Sequence, residues 1–322
     1  MKKLEQGINC DFAAKTTILE IQSHITAIAE NPSLYEEKSF DKRVEAIDFI
    51  GFHIIDQIDA LLQITPQTDK SILLKHRAEK VKAELEEIDN NLFQKLRANI
   101  RAGEYTGKEF KNLVNEYVHF NLDDCEHQDG PGYDNLDIFI NSLFPFQVMP
   151  EQVKDLEPEM VYYQKTPART VFELVEKVHF KKEDVFFDLG AGLGQAAILV
   201  NLLAEIKVKG VEFEPVFCDY ARDCAAALNL SNVTFINADA RKAGYSDGTI
   251  FFMYTPFKGE MLQEVLAVLR KESLLRKIKI VTYGPCTTEV ALQTWLDFAL
   301  PENNNVYKLC VFSSFDPSGR SL

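Results

Sequence analysis

Apolar positions in the first third of the chain recur at intervals of three and four. Leu74, Ala78, Val81, Leu85, Ile88, Leu92 and Leu96 form one stripe between Ser71 and Ile100, which predicts a long amphipathic helix. Asp69 or Ser71 can cap its start, and Gly103 can end it. Residues 40–64 carry a similar period with Pro66 just beyond, and residues 106–120 offer a shorter helix. Nothing between residues 12 and 120 alternates as a half-buried strand does. This part therefore reads as an all-α bundle of about four helices.

The pattern changes after NLDDCEHQDGPGYDN, residues 121–135, where Gly130, Pro131 and Gly132 stand together. Such a cluster marks a loop or hinge. It divides the chain into a helical domain over residues 1–130 and a second domain over residues 131–322. In the second part, short apolar runs at 185–188, 207–212, 233–236, 249–254, 278–283 and 306–313 alternate with helical patterns. Alternating strands and helices predict an α/β fold with a mostly parallel, doubly wound sheet. Trp295 and Phe298 fall on a late helical pattern and read as core. After that pattern a single clear strand remains.

Composition narrows the function classes. With 46% hydrophobic residues in 322, the chain can bury a sizeable core. A net charge of −14 argues against an electrostatically driven nucleic-acid binder, whose footprint is basic. No apolar run approaches the roughly 18 residues of a membrane span, and MKKLEQGINCDFAAK lacks the apolar stretch of a signal peptide. Cysteines 10, 125, 218, 224, 286 and 310 show no CxxC spacing, which fits reduced thiols and a cytoplasmic protein. His119, Cys125 and His127 are metal-ligand types, but their spacing matches no standard zinc pattern, so no metal is expected.

The candidate chemistry gathers at strand ends. In VFFDLGAGLGQ, residues 185–195, an apolar run ends in Asp188, and Gly190, Gly192 and Gly194 follow before a helix begins. Glycine lets a backbone turn tightly and approach a ligand, and ligands of such sheets bind at the carboxyl ends of strands. The dinucleotide pattern G-x-G-x-x-G is not met. The spacing here is D-x-G-x-G-x-G followed by Gln195, which disfavours a nicotinamide-dependent oxidoreductase. Glu212 ends the second strand and can accept from two ribose hydroxyls. Asp239 ends the third and can accept from an exocyclic amine such as that of adenine.

These residues resemble the class I S-adenosylmethionine-dependent methyltransferases over roughly residues 155–315. The resemblance implies a seven-stranded-type sheet whose last strand is antiparallel. It also implies S-adenosylmethionine as cofactor, held by Asp188, Gly190, Gly192, Gly194, Gln195, Glu212, Asp239 and Ala240. Upstream, MVYYQKTPARTVFELVEKVHF is similar to the lead-in of some bacterial class I enzymes and of non-SET histone-lysine methyltransferases. On that match Tyr163 and Thr166 close over the cofactor, although Lys165 replaces an acid. Thr166-Pro167 equally reads as a helix start with proline at the first helical position. After the fourth strand, Tyr254, Thr255, Pro256 and Phe257 resemble the asparagine-proline-aromatic motif of amino-group methyltransferases, with Thr255 in place of the amide. These four are the candidate catalytic residues, and Tyr283 and Pro285 are candidates for the same mouth. The expected activity is methyl transfer to an unidentified acceptor, a protein side chain or a small molecule, with nitrogen favoured. The alternative is a methyltransferase-like module that has lost its chemistry and binds through the helical domain.

Overall fold

The computed structural model describes residues 17–64, 69–120, 122, 132–146, 148–298 and 305–316. The chain forms two compact units. One comprises residues up to Leu96 together with Glu116–His119; the other comprises Arg97–Asn115 and Phe120 onward. The boundary expected at Gly130–Gly132 falls in a stretch of which residues 123–131, with Cys125 and His127, lie outside the described residues.

The first unit is helical. It contains α1 (17–29), α2 (Phe40–Asp48), α3 (Asp56–Ile64) and most of α4 (Asp69–Arg101). The predicted stripe is its core: Leu74, Ala78, Val81 and Leu85 pack with Ile21, Ile25, Ile50, Ile54 and Ile58. Gly103 ends α4 as expected, at φ 79, and the Glu104 N–H returns to the Asn99 carbonyl at 3.0 Å. Residues 40–64 are not one regular helix. Phe49–Ile55 widens into a π-helical segment, closed where the Asp56 N–H donates to the Gly51 carbonyl. Arg43 is completely buried. Its Nε meets Asp89 at 2.7 Å, and its other nitrogens donate to the carbonyls of Leu34, Glu36 and Glu37. A guanidinium with this many partners can sit in a core at tolerable cost. Burial nevertheless holds the Asp89 carboxyl above its usual range.

The second unit has the predicted layers. Its strands are β1 (Val185–Leu189), β2 (Lys207–Glu212), β3 (Val233–Asn237), β4 (Ile250–Met253), β5 (Lys279–Thr282), β6 (Leu296–Asp297) and β7 (Cys310–Ser314). They form one seven-stranded sheet in the order β3-β2-β1-β4-β5-β7-β6. Pairings among β1 to β5 are parallel, and β7 runs antiparallel to both neighbours. The alternating helices are α7 (Ala168–Val178), α8 (Gln195–Ala204), α9 (Pro215–Ala227), α10 (Gly259–Ser273) and α11 (Cys286–Ala291), with α5 (Gly107–Tyr117) and α6 (Asn135–Leu143) preceding them in the chain. Strands covered on both faces need continuous apolar runs. Accordingly Phe186, Phe187, Phe251 and Phe252 are fully buried.

The final hairpin is complete, and three local expectations are corrected. Trp295 is a core residue, as expected, and Phe298 packs against the same core, but Trp295 lies in the turn before β6 and Phe298 just after it, not on a helix. A strand of two residues is too short to show a period. The last strand begins at Cys310, so Tyr307 sits in the preceding turn. Pro167 is the cap of α7 rather than its first residue, and Asp137 takes up the exposed start of that helix by accepting from the Ala168 N–H at 2.8 Å. Asp137 belongs to α6, whose own start is a capping box of Asp134 and Asp137.

Candidate functional site

Strand order reverses direction between β1 and β4, where a crevice opens at the carboxyl ends of parallel strands. A cavity of about 240 Å³ lies there. It is lined by Tyr163, Thr166, Asp188, Gly190, Gly192, Gln195, Glu212, Asp239, Ala240 and the run Tyr254–Phe257. Of the predicted cofactor-binding residues only Gly194 is absent from the lining. Pro285 reaches the cavity wall, and Tyr283 stands behind Tyr254 with ring centres 5.0 Å apart.

The alternate glycines serve different neighbours. The turn is held by the Gly190 and Ala191 N–H groups, which donate to the Val211 carbonyl at 2.9 and 3.0 Å. Gly192 has φ 53, and a Cβ there would drive into the Tyr163 ring on the cavity wall. Gly194 has φ 81 and caps α8, and a Cβ there would strike Phe235 and Ala221 instead. Gly192 thus answers to the cavity, and Gly194 to the close packing of helix on sheet.

The carboxylates differ in their partners. Glu212 is buried, with Oε2 accepting from the Gly192 N–H and Oε1 from the Glu214 N–H, both at 2.7 Å. Burial still raises its carboxyl. Asp188, on the adjacent strand, is pushed up to about 7, first by burial and then by the charge of Glu212, against the opposing N–H of Ala197. Asp239 behaves oppositely. Arg241 grips both its oxygens, with Nη2 at 2.7 Å from Oδ2 and Nε at 3.0 Å from Oδ1, and holds the carboxyl below its usual range. The same guanidinium reaches Glu157 at 2.8 Å.

Glu157 belongs to an irregular strap, residues 148–166, that borders the cavity. Several bonds anchor it. The Val153 and Lys154 N–H groups donate to the Glu214 carboxylate at 3.2 and 2.8 Å. Met160 bridges Phe257, and the Val161 N–H donates to the Pro256 carbonyl at 3.1 Å. Glu159 accepts from the Met261 N–H at 2.7 Å in the first turn of α10, where helix N–H groups lack internal partners. Glu214, Arg241 and Tyr307 escaped sequence reasoning. A signal existed for Glu214: Glu214-Pro215 is a cap residue followed by proline at the first helical position, and the structure uses it so.

Two buried side chains at the cavity lack hydrogen-bond partners among the described residues: both amide atoms of Gln195 and the hydroxyl of Tyr254. Thr255 is different. At φ 42 it is left-handed, and its hydroxyl donates to the Tyr283 carbonyl and accepts from the Cys286 N–H, each at 3.2 Å. Its oxygen is committed to holding the turn. No lysine, arginine or histidine is among the lining residues. Among the described residues no cluster of His, Cys, Asp and Glu could hold a metal, and no helix is long and apolar enough to cross a membrane.

Residues 180–316 match a family model described as a methyltransferase domain. In fold the chain is similar to an RNA methyltransferase from Salinibacter ruber solved with S-adenosyl-L-homocysteine, at 20% identity over 49% of this chain and 97% of that one, TM-score 0.40. It is similar also to precorrin-6y C5,15-methyltransferase from Geobacter metallireducens, at 17% identity over 49% and 93%, TM-score 0.37. A third is the tRNA (uracil-54, C5)-methyltransferase of Pyrococcus abyssi, at 16% identity over 48% and 40%, TM-score 0.35. With the final antiparallel hairpin in place, and a glycine turn flanked by acids on adjacent strands within the matched residues, residues 180–316 match a methyltransferase domain and have the sheet order expected of the class I enzymes.

Proposed function

We propose that this protein transfers a methyl group from S-adenosylmethionine to a nitrogen of a protein side chain or small molecule. The observation that carries the proposal is Gln195. A buried amide with neither its donors nor its acceptor used is costly unless a ligand completes it. It lies in a cavity that Asp188 and Glu212 also line, a set suited to a ligand with an ammonium, a carboxylate and ribose hydroxyls. Asp188 and Gln195 would take the amino-acid part, Glu212 the ribose, and Asp239 with Ala240 the adenine. Glu212 and Asp239 each keep lone pairs beyond those already bonded.

When bound, the cofactor supplies a methyl carbon to the acceptor's lone pair, while sulfur keeps the electron pair of the broken bond and the acceptor's proton goes to solvent. Catalysis then falls chiefly to proximity and orientation, which suits a cavity with no histidine to act as base. Thr255 positions the acceptor wall by tying β4 to the turn after β5. Tyr163 and the strap shield the site from water. The buried, free thiols of Cys218, Cys224, Cys286 and Cys310 support a reducing compartment such as the cytoplasm.

Calorimetric titration with S-adenosylmethionine, S-adenosylhomocysteine and NAD tests the reading. Binding of the first two and not the third is expected. Tight NAD binding with no response to S-adenosylhomocysteine would overturn it. At 100 times its dissociation constant, a ligand raises stability by about 2.7 kcal/mol, so a thermal shift provides a rapid screen.

A further inference from the structure

Resting on that reading, we propose that the acceptor is an aliphatic amine that enters as its ammonium cation at the tyrosine end of the cavity, where the Tyr254 hydroxyl is its hydrogen-bond partner. Charge is the first observation. Asp188, Glu212, Glu214 and Asp239 line the cavity, and no cationic side chain does. Arg241 neutralises Asp239 from outside the lining, but among the described residues no cationic side chain is paired with Asp188 or Glu212. A phosphate or carboxylate acceptor would find no positive partner here and would meet repulsion. An ammonium is drawn in.

Aromatic geometry is the second. Tyr254, Tyr283 and Tyr307 form a chain of rings with centres 5.0 and 5.9 Å apart, and Tyr163 stands on Phe217 at 5.5 Å. Ring faces attract a cation, most strongly where water is excluded. Gly284 keeps the rings in place. At φ 92 it passes so close that a Cβ would strike the Thr255 hydroxyl and approach the Tyr254 ring.

The third observation selects Tyr254 over its neighbour. The polar group expected after β4 was Thr255, but its hydroxyl is bonded twice within the protein. The Tyr254 hydroxyl is buried at the cavity and has no hydrogen-bond partner among the described residues. Burial raises its ionisation well above the ordinary phenol, so its oxygen remains a neutral acceptor. The ammonium N–H donates to that oxygen on entry, and once the ammonium has released one proton to solvent a remaining N–H keeps this bond while the freed lone pair points into the cavity. An alcohol of the same shape could bond to Tyr254 but would gain nothing from the acids or the ring faces.

The test measures binding, not turnover. The full-length protein is saturated with S-adenosylhomocysteine and titrated with n-butylamine, n-butanol and n-butyl phosphate at neutral pH. Butylamine is expected to bind at least about tenfold more tightly than the other two. Tyr254→Phe should weaken butylamine by about tenfold and leave the S-adenosylhomocysteine affinity unchanged. Equal binding of butanol and butylamine by the native protein overturns the proposal without any variant, as does a folded Tyr254→Phe protein that binds butylamine normally. A native protein that does not bind S-adenosylhomocysteine brings down the methyltransferase reading instead, and this proposal with it.

Discussion

The two ends of the cavity are built on opposite plans. At the β1–β3 end, the acids are partnered before any ligand arrives, with only the Gln195 amide open among the described residues: Glu212 takes two backbone N–H groups, and Asp239 is gripped by Arg241. At the β4–β5 end, the Thr255 hydroxyl faces the protein, and among the described residues the Tyr254 hydroxyl is left open. A prebuilt end costs little reorganisation on binding and suits a ligand of fixed chemistry. An end with open groups and adaptable rings suits the partner that determines specificity. Under the proposed function, the contrast assigns cofactor affinity to the glycine-acid side and acceptor choice to the tyrosine side.

Gly192→Val should produce the largest effect. It puts a branched side chain at φ 53, against the Tyr163 ring, and strains a β-branched residue in the left-handed region. Loss of measurable S-adenosylhomocysteine binding with a native-like far-ultraviolet spectrum is expected. Retained affinity would show that the cavity end of the turn is not where the ligand lies.

Glu212→Ala comes next. It removes a buried carboxylate that takes the Gly192 and Glu214 N–H groups, so both the ligand and the turn lose a partner. Hydrogen bonds to charged groups contribute roughly 1.5–3 kcal/mol, which is about ten- to a hundredfold in the dissociation constant. Calorimetry on the folded variant reads it directly, and an unchanged affinity removes the ribose assignment. Thr255→Val should leave cofactor affinity intact while lowering transfer rate, which separates the two ends.

A smaller, pH-dependent effect belongs to Asp188. Its unfolded carboxyl titrates near 3.9 and its folded one at about 7. Between those values the folded state holds a proton that the unfolded state does not. The stability this contributes is therefore full below about pH 4 and is lost as pH rises through about 7. Binding a cationic group at Asp188 requires the ionised form, so affinity should rise with pH toward about 7 and then level. Below that pH a proton is released on binding. Titration heats at about pH 6 in two buffers of different ionisation enthalpy should differ, and identical heats would mean that Asp188 does not face the ligand's cation.

Much of the fold was legible because its signals are long or repeated. The α4 stripe runs through seven apolar positions, and five parallel strands each end where an acid, a glycine turn or a proline begins. The features missed were local or charged. β6 has two residues and no period to read. α6 follows a loop-like stretch, and only the Asp134–Asp137 capping box announces it. The π-segment keeps an apolar face through Ile50 and Ile54, so its wider turn leaves no gap in the pattern. Arg43 and Arg241 look like solvated charges in sequence; what makes them structural is partners 46 and 84 residues away. In the site, residue types at strand ends were readable, but hydroxyl commitments were not. Whether Thr255 or Tyr254 is open depends on Tyr283 and Cys286, which only the folded sheet brings to it.

Arg241→Met should give the smallest effect and sharpens the comparison most, because it opens one group at the prebuilt end. Its guanidinium links Asp239 at the cavity to Glu157 on the strap and is partly exposed, so screening limits what the links contribute. A loss of cofactor affinity of only a few fold is expected, about 1 kcal/mol or less, and it should shrink as salt is added to the native protein. The pH signature is opposite to that of Asp188. The Asp239 carboxyl is held low by Arg241, so its stabilisation is present above its unfolded value and is lost as pH falls toward the folded one. Arg241→Met should remove that acid-side loss, flattening the thermal midpoint below about pH 4 while leaving the decline between about pH 4 and 7 untouched. If the variant alters the neutral-pH decline instead, the two acids are coupled through the cavity. They could not then be assigned to separate parts of the ligand.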